Sequence, residues 1–194
     1  MTKPTTISVL AETLRKQSSL SEKKIAKVVA AYKPFPTKHN QVLVRKGDIA
    51  KYLYFVEKGY LRVFVTDASG NQFTRFLIEG GMEGTAFPSF ISQKISSASV
   101  QCVGKAEVLR ISYDELQKLY QAVPEFERLY RKVIEMAYVS SIHRIETLIS
   151  MNSRERYLQL LKEKPKWFQQ LPANVIAEYL GITKETLSRL KSAK

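Results

Sequence analysis

The residues with the clearest potential for chemistry lie near the end of the sequence, on the outward side of a predicted helix. Thr183 is a preferred residue type for a helix N-cap. The outward polar residues that follow it are Lys184, Glu185, Ser188 and Arg189. An arginine can donate two hydrogen bonds to a guanine edge, a glutamate can accept one from cytosine, and lysine suits a phosphate or a guanine. We therefore predict that these five residues contact double-stranded DNA.

Two short helices around a tight turn must position this set, and they span Leu171 to Leu190. Gly181 provides the left-handed backbone that the turn requires. Ala177 is small at the point where the second helix crosses the first. The predicted inward-facing residues are Ile176, Leu180, Ile182, Leu187 and Leu190. This pattern is typical of a DNA-binding helix-turn-helix, and a plain helical hairpin in a core is the alternative interpretation.

The distribution of charge also favours a polyanion as partner. The 194 residues carry a formal net charge of +13, and residues 151–194 hold 9 Lys+Arg against 4 Asp+Glu. The excess positive charge per residue is about twice as dense in this part as in residues 1–150. Nucleic acid is the commonest intracellular polyanion, whereas solubility alone is the alternative explanation for the charge.

The first two thirds of the chain predict an α+β fold. Residues 6–31 have helical periodicity, with Ser21 as an N-cap between two pieces, and the prolines at 34 and 36 end the segment. From 41 to 112 the period changes to two, which predicts an antiparallel sandwich, barrel or jelly roll. The glycine-rich segment 79–88 predicts a loop for close backbone approach. The predicted strands are Gln41–Val44, Tyr52–Glu57, Tyr60–Asp67, Gln72–Ile78, Ser97–Val103 and Glu107–Ser112.

A long helix links this part to the basic segment. Pro124 opens it, and the pattern continues to about Ser150, with apolar residues over much of its surface. A second copy of the helix is the simplest partner for that surface, and an ordinary core helix is the alternative. Asn152 and Glu155 have the spacing of a capping box and begin the next helix. We therefore predict domains at 1–124, 125–151 and 152–194.

Several function classes receive no support from the sequence. Cys102 is the only cysteine, which excludes an intramolecular disulfide, a cysteine-ligated iron–sulfur cluster and a cysteine-based zinc site. His39 and His143 are expected at the surface, and no catalytic motif or metal-spaced histidine pair is present. No signal peptide or membrane-length apolar run is visible. We expect a cytoplasmic protein that is not an enzyme and has no membrane partner.

The order of these parts, with Leu180-Gly-Ile-Thr-Lys-Glu-Thr-Leu-Ser-Arg189, resembles the bacterial Crp/Fnr family of transcription regulators. Tyr52–Phe64 is similar to the second and third strands of the family's β-roll, and Gly81 and Gly84 to its phosphate-binding cassette. The resemblance implies a β-roll (double-stranded jelly roll) sensor domain with flanking helices and a homodimer paired through helix 125–150. It further implies a palindromic operator, and RNA polymerase as an additional partner.

The resemblance also implies an effector pocket in the β-roll, but two residues of this pocket differ from those of cyclic-AMP binders. Thr85 stands where cyclic-AMP binders have a glutamate, and Ser96 stands where they have an arginine, so we expect an effector other than cyclic AMP. The candidate pocket residues are Gly81, Gly84, Thr85, Ser96, Ser97, Ser140 and Ser141. The given sequence ends four residues after Leu190, and we expect no long wing. A ligand-binding module that signals through a protein partner and a regulator with a vestigial pocket are the alternatives.

Overall fold

The computed structural model describes residues 8–192, which form helices and an antiparallel sheet. The helices are α1 (Val9–Gln17), α2 (Glu22–Ala31), α3 (Phe87–Ser92), α4 (Tyr113–Ala122), α5 (Pro124–Ser150), α6 (Ser153–Glu163), α7 (Pro165–Gln170), α8 (Ala173–Leu180) and α9 (Lys184–Ser192). The strands are β1 (Lys33–Pro36), β2 (Val42–Val44), β3 (Tyr52–Thr66), β4 (Gln72–Glu79), β5 (Glu83–Gly84) and β6 (Ser99–Ser112). No helix within this described part is long and apolar enough to cross a lipid bilayer.

The chain divides into two compact units. Among the described residues, the first consists of 8–63 together with 77–133, and the second of 64–76 together with 134–192. The tip of the β3–β4 hairpin therefore belongs to the second unit. The predicted domain boundaries after residues 124 and 151 stay predictions.

The first unit is built on the sheet, in which the strand order is β1-β6-β3-β4, while β2 pairs with β6 and β5 with β3. Strand β6 buries alternate residues over much of its length, whereas β3 buries two runs of four consecutive residues, and their β-branched and aromatic side chains form much of the core. Its fully buried members include Leu53, Phe55, Val56, Leu61, Phe90, Val100 and Ile111. Helix α4 begins with a capping box of Ser112 and Glu115, which the sequence reading missed.

Two of the predicted strand interruptions are wrong. The sequence predicts a turn at Lys58-Gly59 and a break near Gly104, but β3 and β6 run through both positions. Both glycines have positive φ, +87° and +73°, which is the conformation that made a turn plausible. A Cβ on Gly59 would lie 2.7 Å from the carbonyl oxygen of Lys105. At these positions glycine lets the strand continue with an irregular backbone, and at Gly59 it also lets the backbone of β6 come close.

The proline-containing segment after α2 is also a strand. β1 pairs antiparallel with β6, with Lys33 opposite Arg110. The Arg110 guanidinium carbon lies 4.3 Å from the ring centre of Phe35 and 4.2 Å from that of Tyr52. This cation–π stacking ties β1 to β3 across β6. A strand at the end of the sheet order tolerates proline, because a missing N–H costs little there.

The second unit is helical apart from the hairpin tip. α5 begins at Pro124 as predicted, and Asn152 caps α6 in a capping box with Glu155, also as predicted. Pro165 ends α6 but also opens the short α7, which was not predicted. Two edge-to-face aromatic pairs, Trp167–Tyr179 at 5.3 Å and Tyr157–Phe168 at 5.5 Å, pack α6, α7 and α8 together. The remaining core residues of this unit include Leu160, Leu171, Val175, Ile176, Leu180 and Leu187.

Candidate nucleic-acid interface

The turn between α8 and α9 has the geometry that the sequence predicts. Gly181 adopts a left-handed conformation with φ 67° and ψ 39°, and it ends α8 as a C-cap. The N–H of Ile182 donates to the carbonyl oxygen of Ala177 over 3.0 Å. Ala177 and Leu180 are buried on the α8 side, and Leu187 is buried on the α9 side. These contacts fix which face of α9 points away from the core.

That outward face carries the predicted base-reading residues. Lys184, Glu185, Ser188 and Arg189 are all exposed, and the four side chains line one shallow depression. Leu190, expected to face inward, is half-buried at the margin of the core, as is Ile182. The structure therefore brings together the four candidates on α9 and keeps them free of the packing interface.

The start of α9 is organised by hydroxyl groups. Thr183 is exposed and acts as the N-cap, since its Oγ1 accepts a hydrogen bond from the N–H of Thr186 over 3.2 Å. The two hydroxyl groups also lie 3.2 Å apart, and Arg189 Nη2 donates to Thr186 Oγ1 over 3.2 Å. The sequence analysis missed Thr186, although its i, i+3 spacing from both Thr183 and Arg189 is a signal for such contacts.

Glu185 is held in its ionised form. Its own backbone N–H lowers the pKa of the carboxyl, with further lowering from the Thr183 hydroxyl and from the charges of Lys184 and Arg189. A carboxylate at neutral pH can only accept hydrogen bonds, which suits the amino group of a cytosine and disfavours an approaching phosphate. The face thus combines two cations with one fixed acceptor.

A second contact in this unit involves the hairpin tip. Thr74, which is only 2% exposed, donates from Oγ1 to Glu178 Oε2 over 2.9 Å. Asn174 Nδ2 donates to the other oxygen of the same carboxylate over 3.3 Å. Glu178 on α8 is therefore engaged on both oxygens. The sequence gave no indication of this link, because its partners lie about 100 residues apart.

The candidate pocket residues have diverse roles. Gly84 lies in β5 opposite Tyr54, and a Cβ placed on it would come within 2.2 Å of Ile78 Cδ1. Gly81 has a φ of +87°, and its N–H donates to the carbonyl oxygen of Val56. The backbone of the cassette therefore packs directly against β3. This agrees with the close backbone approach that the glycine-rich segment 79–88 predicts.

The hydroxyl groups in and near the cassette differ in whether they have hydrogen-bond partners. Thr85 is 4% exposed, and its Oγ1 has no hydrogen-bond partner among the described residues. Ser96 is also buried, but its hydroxyl donates to the carbonyl oxygen of Ala98 and accepts from the N–H of the same residue. Ser97 is exposed. Of these three residues, Thr85 is the one whose hydroxyl is buried without a hydrogen-bond partner among the described residues.

Ser140 and Ser141 lie in the second unit. Their hydroxyl groups donate to the carbonyl oxygens of Met136 and Ala137 in the preceding turn of α5, over 2.9 and 2.8 Å. This back-bonding is the common arrangement of serine in a helix. Their assignment to an effector pocket stays a prediction.

Glu83, within the cassette segment, has a buried tyrosine partner that the sequence analysis missed. Tyr32 is 3% exposed and donates from its hydroxyl to Glu83 Oε1 over 2.6 Å. Burial raises the pKa of Glu83 to about 7, and the Tyr32 hydrogen bond opposes that rise. Burial, with the charge of Glu83, also raises the pKa values of Tyr120 and Tyr130. Glu83 can therefore change its protonation state near neutral pH.

The second half of α5 exposes a continuous apolar stripe. Tyr138, Ile142, Ile145 and Ile149 follow one another in steps of four, three and four residues, which is the a/d spacing of a coiled coil. Their exposed fractions are 67%, 38%, 51% and 80%. We call these four residues the α5 seam. Large apolar side chains in such a row are a typical interaction surface.

No group of three or more potential metal ligands occurs within residues 8–192. His39 and His143 are exposed, as predicted. His143 Nε2 lies 3.2 Å from the side-chain amide nitrogen of Gln159, a local contact between α5 and α6. Cys102 is buried, which raises the pKa of its thiol.

Comparison with known proteins gives consistent matches. Residues 36–123 match the family of cyclic nucleotide-binding domains. The Anaerobic regulatory protein of Haemophilus influenzae is 26% identical over 167 residues, which is 80% of this chain and 64% of that protein. The Transcriptional activator protein FnrA of Stutzerimonas stutzeri is 25% identical over 167 residues, with 80% and 67% covered. This chain thus spans less than two thirds of the length of the Haemophilus relative.

A solved structure shares the architecture. The c-di-GMP-responsive global regulator CLP of Xanthomonas campestris has a TM-score of 0.73 at 16% identity, and 89% of this chain and 90% of that chain are covered. At this identity the similarity demonstrates the fold. Together with the domain match, it confirms the predicted α+β class with an N-terminal β-roll.

Proposed function

We propose that the chain is a DNA-binding transcription regulator of the Crp/Fnr type and not an enzyme. The observation that carries the proposal is the exposed face of α9, where Lys184, Glu185, Ser188 and Arg189 line one depression. Two relatives that cover 80% of the chain are named as a regulatory protein and a transcriptional activator, which supports the same function.

The proposed mode of binding is insertion of α9 into the major groove. The groove is about 12 Å wide and admits one α-helix. Thr183 and the N–H groups of the first turn would face a phosphate, since helix N-termini attract anions. Arg189 and Glu185 would then reach base edges from the same side. Lys184 would contribute to affinity through a phosphate or a guanine.

We propose that the regulator is a homodimer that pairs through the α5 seam. Each copy exposes Tyr138, Ile142, Ile145 and Ile149 in a row, and two such rows can interlock as knobs into holes. A two-fold dimer would present two α9 helices to a palindromic operator, with half-sites about 34 Å apart. RNA polymerase is a further proposed partner, and the cytoplasm is the proposed location.

The sensor pocket is proposed to bind a small molecule other than cyclic AMP. Thr85 provides a buried hydroxyl without a partner, whereas the family's glutamate and arginine are absent from this position and from Ser96. A buried hydroxyl of this kind costs free energy unless a ligand or water satisfies it. Calorimetric titration with cyclic AMP and cyclic GMP tests this point, and micromolar binding of either would contradict it.

The test of the function is selection from a pool of random DNA duplexes, followed by sequencing. We expect an enriched palindrome, whose binding weakens steeply with salt because phosphate contacts release counterions. A charge-reversed variant, Arg189→Glu with Lys184→Glu, is the matched control and should select nothing. If the native chain enriched no sequence, with or without cell extract, the regulator function would be refuted, and a module that signals through a protein partner would be favoured.

A further inference from the structure

We propose that Thr186 is a positioning residue that holds the Arg189 guanidinium in its base-reading orientation before DNA arrives. This inference rests on the proposed function, because it concerns the same face of α9. It assigns a role in sequence discrimination to a residue that is itself half-buried and was not among the predicted DNA contacts.

The geometry that supports the proposal is a row of three side chains along α9. Thr183, Thr186 and Arg189 are spaced by three residues, so they lie next to one another on the helix surface. Arg189 Nη2 donates to Thr186 Oγ1 over 3.2 Å, and the Thr183 hydroxyl donates to the same oxygen over 3.2 Å. The row therefore runs from the N-cap to the guanidinium without a gap.

Thr186 is well suited to hold a flexible side chain. Threonine in a helix has only two favoured χ1 rotamers, and the contacts of Thr186 Oγ1 with Thr183 and Arg189 select one of them. The Thr183 cap restrains it further, since the Thr186 N–H donates to Thr183 Oγ1. An arginine offers five N–H donors, and one donor directed to Thr186 leaves others for a bidentate contact with guanine. Ordering the arginine in advance lowers the entropic cost of binding.

The experiment compares Thr186→Val, which removes the hydroxyl but keeps the shape, with Thr186→Ser, which keeps the hydroxyl. Binding to the selected operator and to each of its single-base-pair variants is measured at several salt concentrations. We expect T186V to lose about three- to tenfold discrimination at the base pair that Arg189 reads, which is the scale of one ordinary intramolecular hydrogen bond. T186S should stay within about twofold of the native protein, and the salt slope should not change.

A double-mutant cycle separates positioning from a purely structural role. In the Arg189→Ala background, T186V should cause no further loss of discrimination, because the residue that it positions is gone. An equal loss in both backgrounds, or an equal weakening of all sequences, would overturn the proposal. Equal weakening with a smaller salt slope would instead indicate a phosphate contact.

A measurement without DNA keeps this inference distinct from the proposed function. Nuclear spin relaxation of the Arg189 side chain in the protein without DNA should show greater mobility in T186V than in the native protein or T186S. Unchanged mobility would refute the positioning role even if operator binding were demonstrated. Conversely, greater Arg189 mobility in T186V without any operator selection would refute only the DNA function.

Discussion

The Arg144 guanidinium carbon lies 4.1 Å from the ring centre of Tyr179, and the same side chain donates to the backbone carbonyl oxygen of Tyr179. Arg144 belongs to α5 and Tyr179 to α8, so one residue secures the first helix of the helix-turn-helix by a cation–π contact and a hydrogen bond at once. The guanidinium is substantially desolvated, and burial lowers its pKa. Arg144 is half-buried, so its cation–π contact and its hydrogen bond each offset part of the cost of removing the charge from water.

Replacing Arg144 should therefore destabilise the helical unit. We expect Arg144→Ala to lower the free energy of unfolding by about 1–3 kcal/mol, since it removes the stacking and leaves a carbonyl oxygen without its donor. Arg144→Lys should recover part of the loss, because a lysine keeps the charge but not the planar stacking. Thermal unfolding followed by circular dichroism measures the difference, and equal stability of all three proteins would contradict it.

Arg189→Ala should relax base preference at one position of each half-site. The expected cost is about 1–3 kcal/mol against the preferred base pair, the range of a bidentate arginine–guanine contact. Competition binding with all single-base-pair operator variants measures it. Lys162→Ala, which removes one exposed positive charge from α6, is the control and should leave the base preference unchanged. A loss that is the same for every variant would assign Arg189 to the DNA backbone.

Glu83 should make stability depend on pH between about 4.5 and 7. Its ordinary pKa of 4.5 rises to about 7 in the folded protein because of burial. Below pH 4.5 the carboxyl is protonated in both states and carries no penalty. Between 4.5 and 7 the unfolded chain ionises first, so folding becomes less favourable as pH rises, and above 7 the full penalty applies. The loss has an upper bound of about 3 kcal/mol.

The variant Glu83→Gln isolates this effect. It cannot ionise, so its stability relative to the native protein should increase from pH 5 to pH 8, as measured by urea unfolding at each pH. Tyr32→Phe removes the hydrogen bond that lowers the pKa of Glu83, and should shift the transition of the native carboxyl to higher pH. A difference between native and E83Q that does not vary with pH would show that Glu83 does not titrate in this range.

Gly84→Ala should strain the cassette by overpacking. The added Cβ would lie 2.2 Å from Cδ1 and 2.7 Å from Cγ1 of Ile78, a residue that is 4% exposed. We expect a loss of about 1–3 kcal/mol in the free energy of unfolding. The same change in an Ile78→Ala background should cost less, because the colliding atoms are absent. Chemical denaturation of the four proteins tests this, and additive effects would mean that the clash is relieved elsewhere.

Ile145→Glu should disrupt the proposed dimer without unfolding the monomer. Ile145 lies in the middle of the α5 seam and is 51% exposed in the single chain, so a carboxylate there is solvated in the monomer but buried in a paired seam. Sedimentation equilibrium should show a dimer for the native protein and a monomer for the variant. Glu135→Ala, an exposed change elsewhere on α5, is the control. A native monomer at high micromolar concentration would exclude the seam as a stable interface.

Local signals made much of the α8–α9 region predictable. Gly181, Thr183 and Asn152 each have a backbone or capping role that their residue type favours strongly, and the structure places each in that role. The long α5 was predictable from Pro124 and a sustained period. In these cases the interactions that determine the local structure join residues only a few positions apart, so a local sequence pattern is enough to predict them.

Other features depend on contacts that are distant in sequence. Gly59 and Gly104 signal positive φ, but a glycine in a turn and a glycine in an irregular strand have the same local signature. The raised pKa of Glu83 depends on burial against Tyr32, and the Thr74–Glu178 hydrogen bond depends on how the chain folds back. Each of these requires knowledge of tertiary neighbours that no local pattern provides.

The opposite faces of α9 have a consequence for how this protein can diverge. Leu187 is buried while Ser188 and Arg189, its immediate neighbours, are exposed, so substitutions at the exposed positions leave folding largely untouched. By contrast, one residue inserted into α9 ahead of Leu187 would rotate every later side chain by about 100° around the helix axis. Under the proposed function, operator preference can therefore change through point substitutions on the exposed face, whereas the number of residues in α9 ahead of that face must stay constant.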